Sequence, residues 1–266
     1  MRARQGDGRR GTRWVALGAA VFCLVALGAA RVSDAAPDFS GVWAMVQHDR
    51  LGAPFFIPVE PKLNATGKAA TAAFVAKYDV KNNEANANCV EPGMPTVMWG
   101  IGGAAMEIVQ QPQRITLLSE LENQSRRIYL DGRKPPDSFP DQRVGFSVGH
   151  WEGDTLVIET TKVTEWQAPR WPHSGAFRVT ERWRLEDPAK LKLTGLRPGG
   201  PPLKIEGQVL VNEMTMNDPL WYEDKDYKVT VYYRKIDDYV LEDNCPEGTW
   251  MERLEALAKK GNPPKN

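Results

Sequence analysis

The feature that most limits how this chain can fold is a hydrophobic period of two that begins near residue 105. Short runs in which apolar and polar residues alternate are typical of half-buried β-strands, and turn-forming residues separate these runs. The runs lie at residues 106–110, 114–118, 126–130, 143–151, 155–161, 176–185, 190–195, 203–211 and 226–236. No helical segment alternates with them, so the pattern predicts a mainly β, antiparallel barrel or sandwich.

One helix is predicted before most of the strands in the sequence, and another is predicted after them. Residues 62–78 are rich in alanine and carry apolar residues three and four apart, which predicts a short N-terminal helix capped by Asn64 or Thr66. Residues 249–260 predict a C-terminal amphipathic helix, with Trp250, Leu254 and Leu257 on one face.

The first 36 residues have the organisation of a secretory signal peptide. Arginines precede an apolar run at 14–30, and small residues follow it before Pro37. A retained transmembrane anchor is the alternative, because the apolar run is close to the shortest that can span a bilayer. We predict cleavage, a single domain of residues 37–266, a periplasmic or secreted location and no stable membrane insertion afterwards.

The charge balance argues against a nucleic-acid partner. The whole chain has 34 Lys+Arg and 34 Asp+Glu, but residues 1–36 hold six of the arginines and two of the aspartates. The mature chain therefore has 28 basic and 32 acidic residues, a net charge of −4. Proteins that bind phosphate backbones carry a basic surplus, so we predict no nucleic-acid partner.

Two cysteines, Cys89 and Cys245, remain after cleavage. In an oxidising compartment two cysteines most often pair, so we predict a disulfide. It would close a loop of about 156 residues and stabilise the fold by about 5 kcal/mol in the chain-entropy model. A thiol nucleophile or metal site is the alternative, although neither cysteine has a CxxC partner. The irregular stretch 81–104 holds Cys89 and is long enough to predict a lid or a pocket wall.

Several blocks of the sequence resemble a large family of exported bacterial proteins of unassigned function. The blocks are RRIYLDGR at 126–133, SVGHWEGDTLV at 147–157, PHS at 172–174 and VTERW at 179–183. The resemblance covers most of residues 37–245 and implies a single lipocalin-like β-barrel, but no reaction. The chain departs from the family at Lys134 or Pro135 and at Phe146, where members often have histidine.

Gly41-Val42-Trp43 is similar to the Gly-x-Trp opening of lipocalin barrels. In that group the tryptophan closes one end of the barrel and often stacks on a basic residue from the last strand. The resemblance implies Arg234 as the partner of Trp43.

One strand face carries an unusual set of polar residues. Alternation places Arg127, Tyr129 and Asp131 together on that face. If the face points inward, Arg127 would bind a carboxylate or enolate oxygen and Tyr129 would donate a proton. The alternative is a solvated face followed by a turn, because Asp131-Gly132 is a favourable turn pair.

The histidines and aromatic residues complete the candidate site. His150 and His173 lie in the blocks that resemble the family, and an imidazole suits general acid–base catalysis near neutral pH. A structural role for each histidine is the alternative. The catalytic candidates are therefore His173, His150, Tyr129 and Asp131. Aromatic side chains at a barrel mouth would suit a flat or apolar ligand. The candidate ligand-binding residues are Arg127, Trp151, Trp166, Trp171, Glu181, Trp183 and Tyr222.

These observations leave three functions open. The sequence contains no metal-ligand motif, phosphate loop or dinucleotide fingerprint, so we predict no metal and no cofactor. The main hypothesis is a cofactor-independent lyase, isomerase or hydratase that acts on a hydrophobic, oxygenated small molecule. The alternative is a lipocalin-like carrier that binds such a molecule without changing it. The third hypothesis is a partner-binding envelope protein that uses residues 81–104 and the C-terminal helix.

Overall fold

The computed structural model describes residues 36–49, 58–78, 90, 93–99, 104–195, 201–242 and 247–259. Apart from Ala36, the predicted signal peptide lies outside the described residues. Cys89 and Cys245 lie outside them too, so the cleavage site and the disulfide stay predictions.

Within the described ranges, nine β-strands form a closed barrel, and their order around the barrel follows their order along the chain. They are β1 (Gly41–His48), β2 (Met106–Gln111), β3 (Arg114–Ser119), β4 (Ser125–Tyr129), β5 (Phe146–Glu152), β6 (Thr155–Thr161), β7 (Arg178–Glu186), β8 (Val209–Asn217) and β9 (Tyr227–Ile236). The barrel closes where β9 pairs with β1. Neighbouring strands are antiparallel except β4 and β5, which run parallel. The predicted mainly β barrel is confirmed, with this one parallel pair as the exception.

One predicted strand is wrong and another is displaced along the chain. Residues 190–195 form no strand, and β8 begins at Val209 rather than at residue 203. The apolar residues Leu191, Leu193 and Ile205 from these two segments instead pack on the outer face of the sheet. They form a small cluster with four residues of the strands, which are Val46, Val209, Val211 and Tyr232. Alternation here reflects a segment that lies against the sheet, rather than one that pairs within it.

The helix α1 (Ala65–Lys77) begins after Asn64, whose side-chain oxygen accepts a hydrogen bond from the N–H of Gly67 at 3.0 Å. Asn64 is thus confirmed as the cap. A Cβ on Gly67 would lie 2.9 Å from the carbonyl oxygen of Trp221, so α1 lies directly on the loop after β8. The second helix, α2, spans Glu247–Lys259. Within the described residues, neither helix is both long and apolar enough to cross a membrane.

The two ends of the barrel are built differently. At the end that we call the helix end, α1 lies on the loop 218–226, and the loop 162–177 joins β6 to β7. The N–H of Asn64 donates to the carbonyl of Trp221 at 2.8 Å, which fixes the start of α1 there. The opposite end, the hairpin end, carries the β2–β3 and β5–β6 turns.

Aromatic side chains close the hairpin end. Phe39 stacks on Trp151 with the ring centroids 5.5 Å apart, and it meets the edge of Trp183 at 5.9 Å. The candidate ligand-binding residues Trp151 and Trp183 therefore contribute to the closed end of the barrel.

Trp43 also lies at the hairpin end, and its basic partner is Lys235. The Nζ atom of Lys235 lies 5.9 Å from the centroid of the Trp43 ring. The prediction of Arg234 as the partner is wrong because the register of β1 and β9 places Lys235 directly opposite Trp43. Alternation turns Arg234 to the opposite face of β9.

Candidate functional site

The polar face proposed from the sequence lies on the outside of β4. Arg127 is exposed, and Tyr129 stacks on Phe146 with the ring centroids 5.1 Å apart. Asp131 follows the strand, and its hydrogen bonds with Arg133 lower the pKa of Asp131 to about 2. The inward orientation considered for Arg127, Tyr129 and Asp131 is therefore wrong, and the solvated face is what the fold contains. The opposite face of β4 points inward because it carries Ile128.

That inward face brings Arg126 into the interior of the barrel, where it is buried. Its guanidinium forms an ion pair with Glu181 on β7. It also donates hydrogen bonds to Ser147 Oγ at 3.1 Å and to Thr160 Oγ1 at 2.8 Å. The charge of Arg126 is thus balanced by Glu181, and neutral groups that point inward from two further strands accept its other hydrogen bonds.

The second carboxylate oxygen of Glu181 is also hydrogen-bonded. Asn212 Nδ2 donates to Oε1 at 2.9 Å, and the indole N–H of Trp183 donates to the same oxygen at 3.3 Å. Two candidate ligand-binding residues, Glu181 and Trp183, therefore come together inside the barrel, where they bind side chains of the chain itself.

The segment 93–99 enters the barrel and reaches the same polar centre. Arg126 Nη1 lies 3.1 Å from the Sδ atom of Met98, and the hydroxyl of Tyr233 donates to the Met98 carbonyl. A thioether is a weak acceptor for a guanidinium N–H. This part of the stretch 81–104, predicted as a lid or pocket wall, occupies the barrel interior.

Five aromatic residues form what we call the helix-end cluster. The rings of Trp99 and Trp171 lie 4.8 Å apart, and those of Trp171 and Tyr227 lie 6.0 Å apart. Phe177 and Tyr222 are in contact at 6.0 Å. All five residues belong to the main apolar core.

Three buried donors of this cluster lack an acceptor. Among the described residues, the indole N–H groups of Trp99 and Trp171 and the hydroxyl of Tyr222 have no hydrogen-bond partner. Leaving such a group unsatisfied costs about 1–3 kcal/mol. Trp171 and Tyr222 were candidate ligand-binding residues. Trp99 was not, because it lies in an irregular stretch that shows no periodicity.

His173 is buried beside the cluster, and both of its ring nitrogens face backbone carbonyls. Nδ1 lies 2.8 Å from the oxygen of Trp171, and Nε2 lies 3.1 Å from that of Thr164. The ring stacks on Phe177 at 4.4 Å. Neither nitrogen is left to exchange a proton with a substrate, so the geometry favours the structural alternative.

Replacing His173 with glutamine is expected to flatten the pH dependence of stability. Burial lowers the pKa of His173 in the folded protein. As the pH falls below about 6.5, the unfolded chain therefore takes up a proton before the folded one does, and the free energy of unfolding decreases. Urea denaturation between about pH 7 and pH 5 should show a steeper loss for the wild type than for His173→Gln. Parallel curves would contradict this expectation.

His150 occupies a different part of the barrel. It is exposed on the outer face of β5, with Nε2 3.3 Å from Oε1 of Glu152. Glu152 in turn pairs with Arg182 at 2.9 Å. His150 lies near the hairpin end and His173 lies at the helix end, so the two histidines do not share a site.

The side chain of Trp166 also contacts other residues of the chain. The guanidinium of Arg143 lies 4.2 Å from the centroid of the Trp166 ring, and the indole N–H donates to the carbonyl of Arg170 at 3.1 Å. Its backbone pairs in both directions with that of His173 at 2.8 Å. These contacts give Trp166 a part in shaping the β6–β7 loop.

Asp218 is a buried carboxylate that is not among the residues predicted from the sequence. It accepts hydrogen bonds from the N–H of Ser174 at 2.6 Å and from the Ser174 hydroxyl at 2.8 Å. The N–H groups of Leu220 and Trp221 donate to it at 3.1 Å each. Asp218 thereby joins the loop before β7 to the loop after β8. An aspartate two and three residues before the amides that it binds is a recognisable turn pattern, so a local signal existed.

Across the described ranges, no group of three His, Cys, Asp or Glu residues is arranged to hold a metal ion.

Comparisons with known proteins find similarities among solved structures. No protein-family model matches the chain, and no curated protein matches its sequence. Crystal structures of the fluorescent protein UnaG match part of the fold. The wild type is 12% identical over 74% of this chain and 97% of its own, with a TM-score of 0.33. A mutant is 13% identical over 75% of this chain and 97% of its own, with a TM-score of 0.34. A similarity this low does not bear on function.

Proposed function

We propose that the protein binds an apolar small molecule with oxygen acceptors at the helix end of its barrel. The proposal rests on the three buried donors of Trp99, Trp171 and Tyr222, which lack an acceptor among the described residues. A flat ligand with a suitable oxygen would gain both apolar burial and hydrogen bonds in the helix-end cluster. The proposed context is the exported, lipocalin-like barrel that the sequence blocks suggest.

The chemistry of the donors indicates which oxygens they suit. An indole N–H can only donate. Burial, together with the nearby carboxylates of Asp218 and Glu60, raises the pKa of Tyr222 well above its ordinary value, so its hydroxyl also donates at neutral pH. The same two carboxylates disfavour an anionic ligand. A neutral carbonyl or ether oxygen therefore fits this cluster best.

The ligand enters by moving the segment 93–99. Trp99 belongs to this segment and packs directly on Trp171, so the two rings must separate before a third group reaches both N–H groups. Nearby, Met98 is held by Arg126 through a thioether contact at 3.1 Å. Moving Met98 breaks this weak sulfur contact and also the hydrogen bond that the Tyr233 hydroxyl donates to the Met98 carbonyl, so the bound ligand must compensate for both.

Binding without turnover is the function that the site supports best. The enzyme hypothesis requires an imidazole that can exchange a proton next to the ligand. His173 lies beside the helix-end cluster, but both of its nitrogens face backbone carbonyls. His150 lies on the outer face of β5. Lyase or isomerase activity is therefore no part of this proposal.

Replacing Tyr222 with phenylalanine is expected to leave the free energy of unfolding unchanged or to raise it by up to about 1 kcal/mol, because the lost hydroxyl has no partner in the free protein. Tyr233→Phe is the matched control. It deletes the same atom, but the Tyr233 hydroxyl donates to the Met98 carbonyl. We expect that variant to lose about 1–2 kcal/mol in urea denaturation. Equal losses in both variants would show that the Tyr222 hydroxyl is bonded.

Ligand binding is tested on the purified protein expressed from the full sequence. Mass spectrometry first identifies any small molecule that co-purifies. Two probes of similar size then test the need for an acceptor: 2-acetonaphthone has a carbonyl, and 2-ethylnaphthalene has none. By quenching of tryptophan fluorescence, we expect the ketone to bind about tenfold more tightly, and Tyr222→Phe to reduce that difference. No co-purified molecule, together with equal or absent binding of both probes, would refute the proposal.

A further inference from the structure

A groove of about 560 Å³ lies on the outer surface of the barrel at the hairpin end. Its volume is within the range of small-molecule sites. The proposed function does not use it, because the helix-end cluster lies at the other end of the barrel. The residues that line the groove are Gln111, Pro112, Gln113, Arg114, Tyr129 and Arg133.

Two neighbouring side chains, Tyr129 and Asp131, contact Arg133 at this groove. Its Cζ atom lies 4.3 Å from the centroid of the Tyr129 ring, which is itself stacked on Phe146. Asp131 holds the edge of the guanidinium, with both carboxylate oxygens 2.9 Å from Nε. The guanidinium lies over the Tyr129 ring, and 52% of the Arg133 side chain is exposed. A planar ligand can stack on the side of the guanidinium that is turned away from Tyr129.

Arg114 provides the net positive charge of the groove. It is the register partner of Tyr129 in the β3–β4 ladder, so its side chain emerges on the same outer face. Its Nη2 donates to Oε1 of Gln111 at 3.1 Å. Within the part of the chain that the structure describes, Arg114 forms no ion pair, whereas the charge of Arg133 is balanced by Asp131.

We propose that this groove binds a planar aromatic carboxylate. The aromatic ring stacks on the open face of the Arg133 guanidinium, and the carboxylate pairs with Arg114. A guanidinium presents two parallel N–H groups that match the two oxygens of a carboxylate. The side-chain amide of Gln113 supplies a further donor at the rim. Tyr129, considered above as an internal acid, serves here as the platform that positions Arg133.

The test uses 2-naphthoate and its neutral counterpart 2-naphthamide. Binding to the full-length protein is followed at low salt by the NMR shifts of the Gln113 side-chain amide and of Arg133 Nε–H. We expect naphthoate to bind at least about tenfold more tightly than naphthamide. Arg114→Gln should weaken naphthoate binding by about tenfold and leave naphthamide unchanged. Arg133→Lys keeps the charge but removes the planar face, so it should weaken both probes.

Two controls separate this site from others. Arg178→Gln removes an exposed arginine at the start of β7, near the opposite end of the barrel, and should leave naphthoate binding unchanged. Tyr222→Phe should also leave it unchanged, so the groove and the proposed function can fail independently. The inference is overturned if Arg114→Gln binds naphthoate as tightly as the wild type does. It is also overturned if naphthoate and naphthamide bind equally, or if the shifts appear only at the helix end.

Discussion

Replacing Arg126 with methionine is expected to lower the free energy of unfolding by about 3–5 kcal/mol. The substitution leaves the carboxylate of Glu181 buried without its ion-pair partner, and it removes the donor to Ser147 and Thr160. Domains of this size are typically stable by about 5–15 kcal/mol, so the loss is a large fraction of the total. Urea denaturation followed by tryptophan fluorescence measures it.

The design includes a neighbouring control and a double variant. Arg127→Met changes the next residue on the same strand, which is exposed, and should alter stability by about 0.5 kcal/mol or less. Adding Glu181→Leu to Arg126→Met removes the unpaired charge and should recover about half of the loss. Recovery stays incomplete because Asn212 then loses its acceptor. The single variant Glu181→Leu completes the cycle. If the loss in the double variant equals the sum of the losses in Arg126→Met and Glu181→Leu, the ion pair does not couple the two residues.

Replacing Asp218 with alanine is the second large change, with an expected loss of about 3 kcal/mol. The carboxylate accepts four hydrogen bonds, from the backbone and hydroxyl of Ser174 and from the N–H groups of Leu220 and Trp221. Bonds to a charged acceptor are stronger than neutral ones, and alanine leaves the buried donors unsatisfied. Thermal or urea denaturation gives the size of the loss.

Two further variants give this prediction its specificity. Asp218→Asn keeps one carbonyl oxygen and should lose about half as much as alanine does. Asp137→Ala removes an exposed aspartate and should change stability by about 0.5 kcal/mol or less. A loss of similar size at Asp137 would mean that general charge, rather than the hydrogen bonds at the helix end, sets the stability.

Much of the fold follows from local pattern, and its errors have a physical cause. The run 155–161 coincides with β6, and Gly153 in the preceding turn has a φ of 59°, as a tight hairpin turn requires. The strand predicted at residues 190–195 is wrong because an apolar segment that lies on a sheet shows the same alternation as a strand within the sheet. The parallel pairing of β4 with β5 depends on how the barrel closes after the connection 130–145, and no local signal encodes that.

The candidate site was harder to predict than the fold. Arg126 shares its strand face with Ile128, and this buried apolar neighbour indicates that the face points inward. The polar face with Arg127 predicts a site only if the polar residues of that face are taken to point inward, and in this barrel they point to solvent. A buried arginine requires a carboxylate close by, and that carboxylate, Glu181, comes from a strand three positions around the barrel. Such a partnership depends on the closed sheet, which periodicity does not specify.

The short parallel contact gives the barrel a seam. Strands β1–β4 and β5–β9 are two antiparallel meanders, each built from neighbours in sequence, and between β4 and β5 only two residue pairs are in register. Arg126 comes from the first meander, whereas Ser147, Thr160 and Glu181 come from the second. The buried ion pair between Arg126 and Glu181 therefore links the two meanders across the β4–β5 contact, where backbone pairing is sparse. Side-chain bonds hold together two halves that the sheet alone joins weakly there.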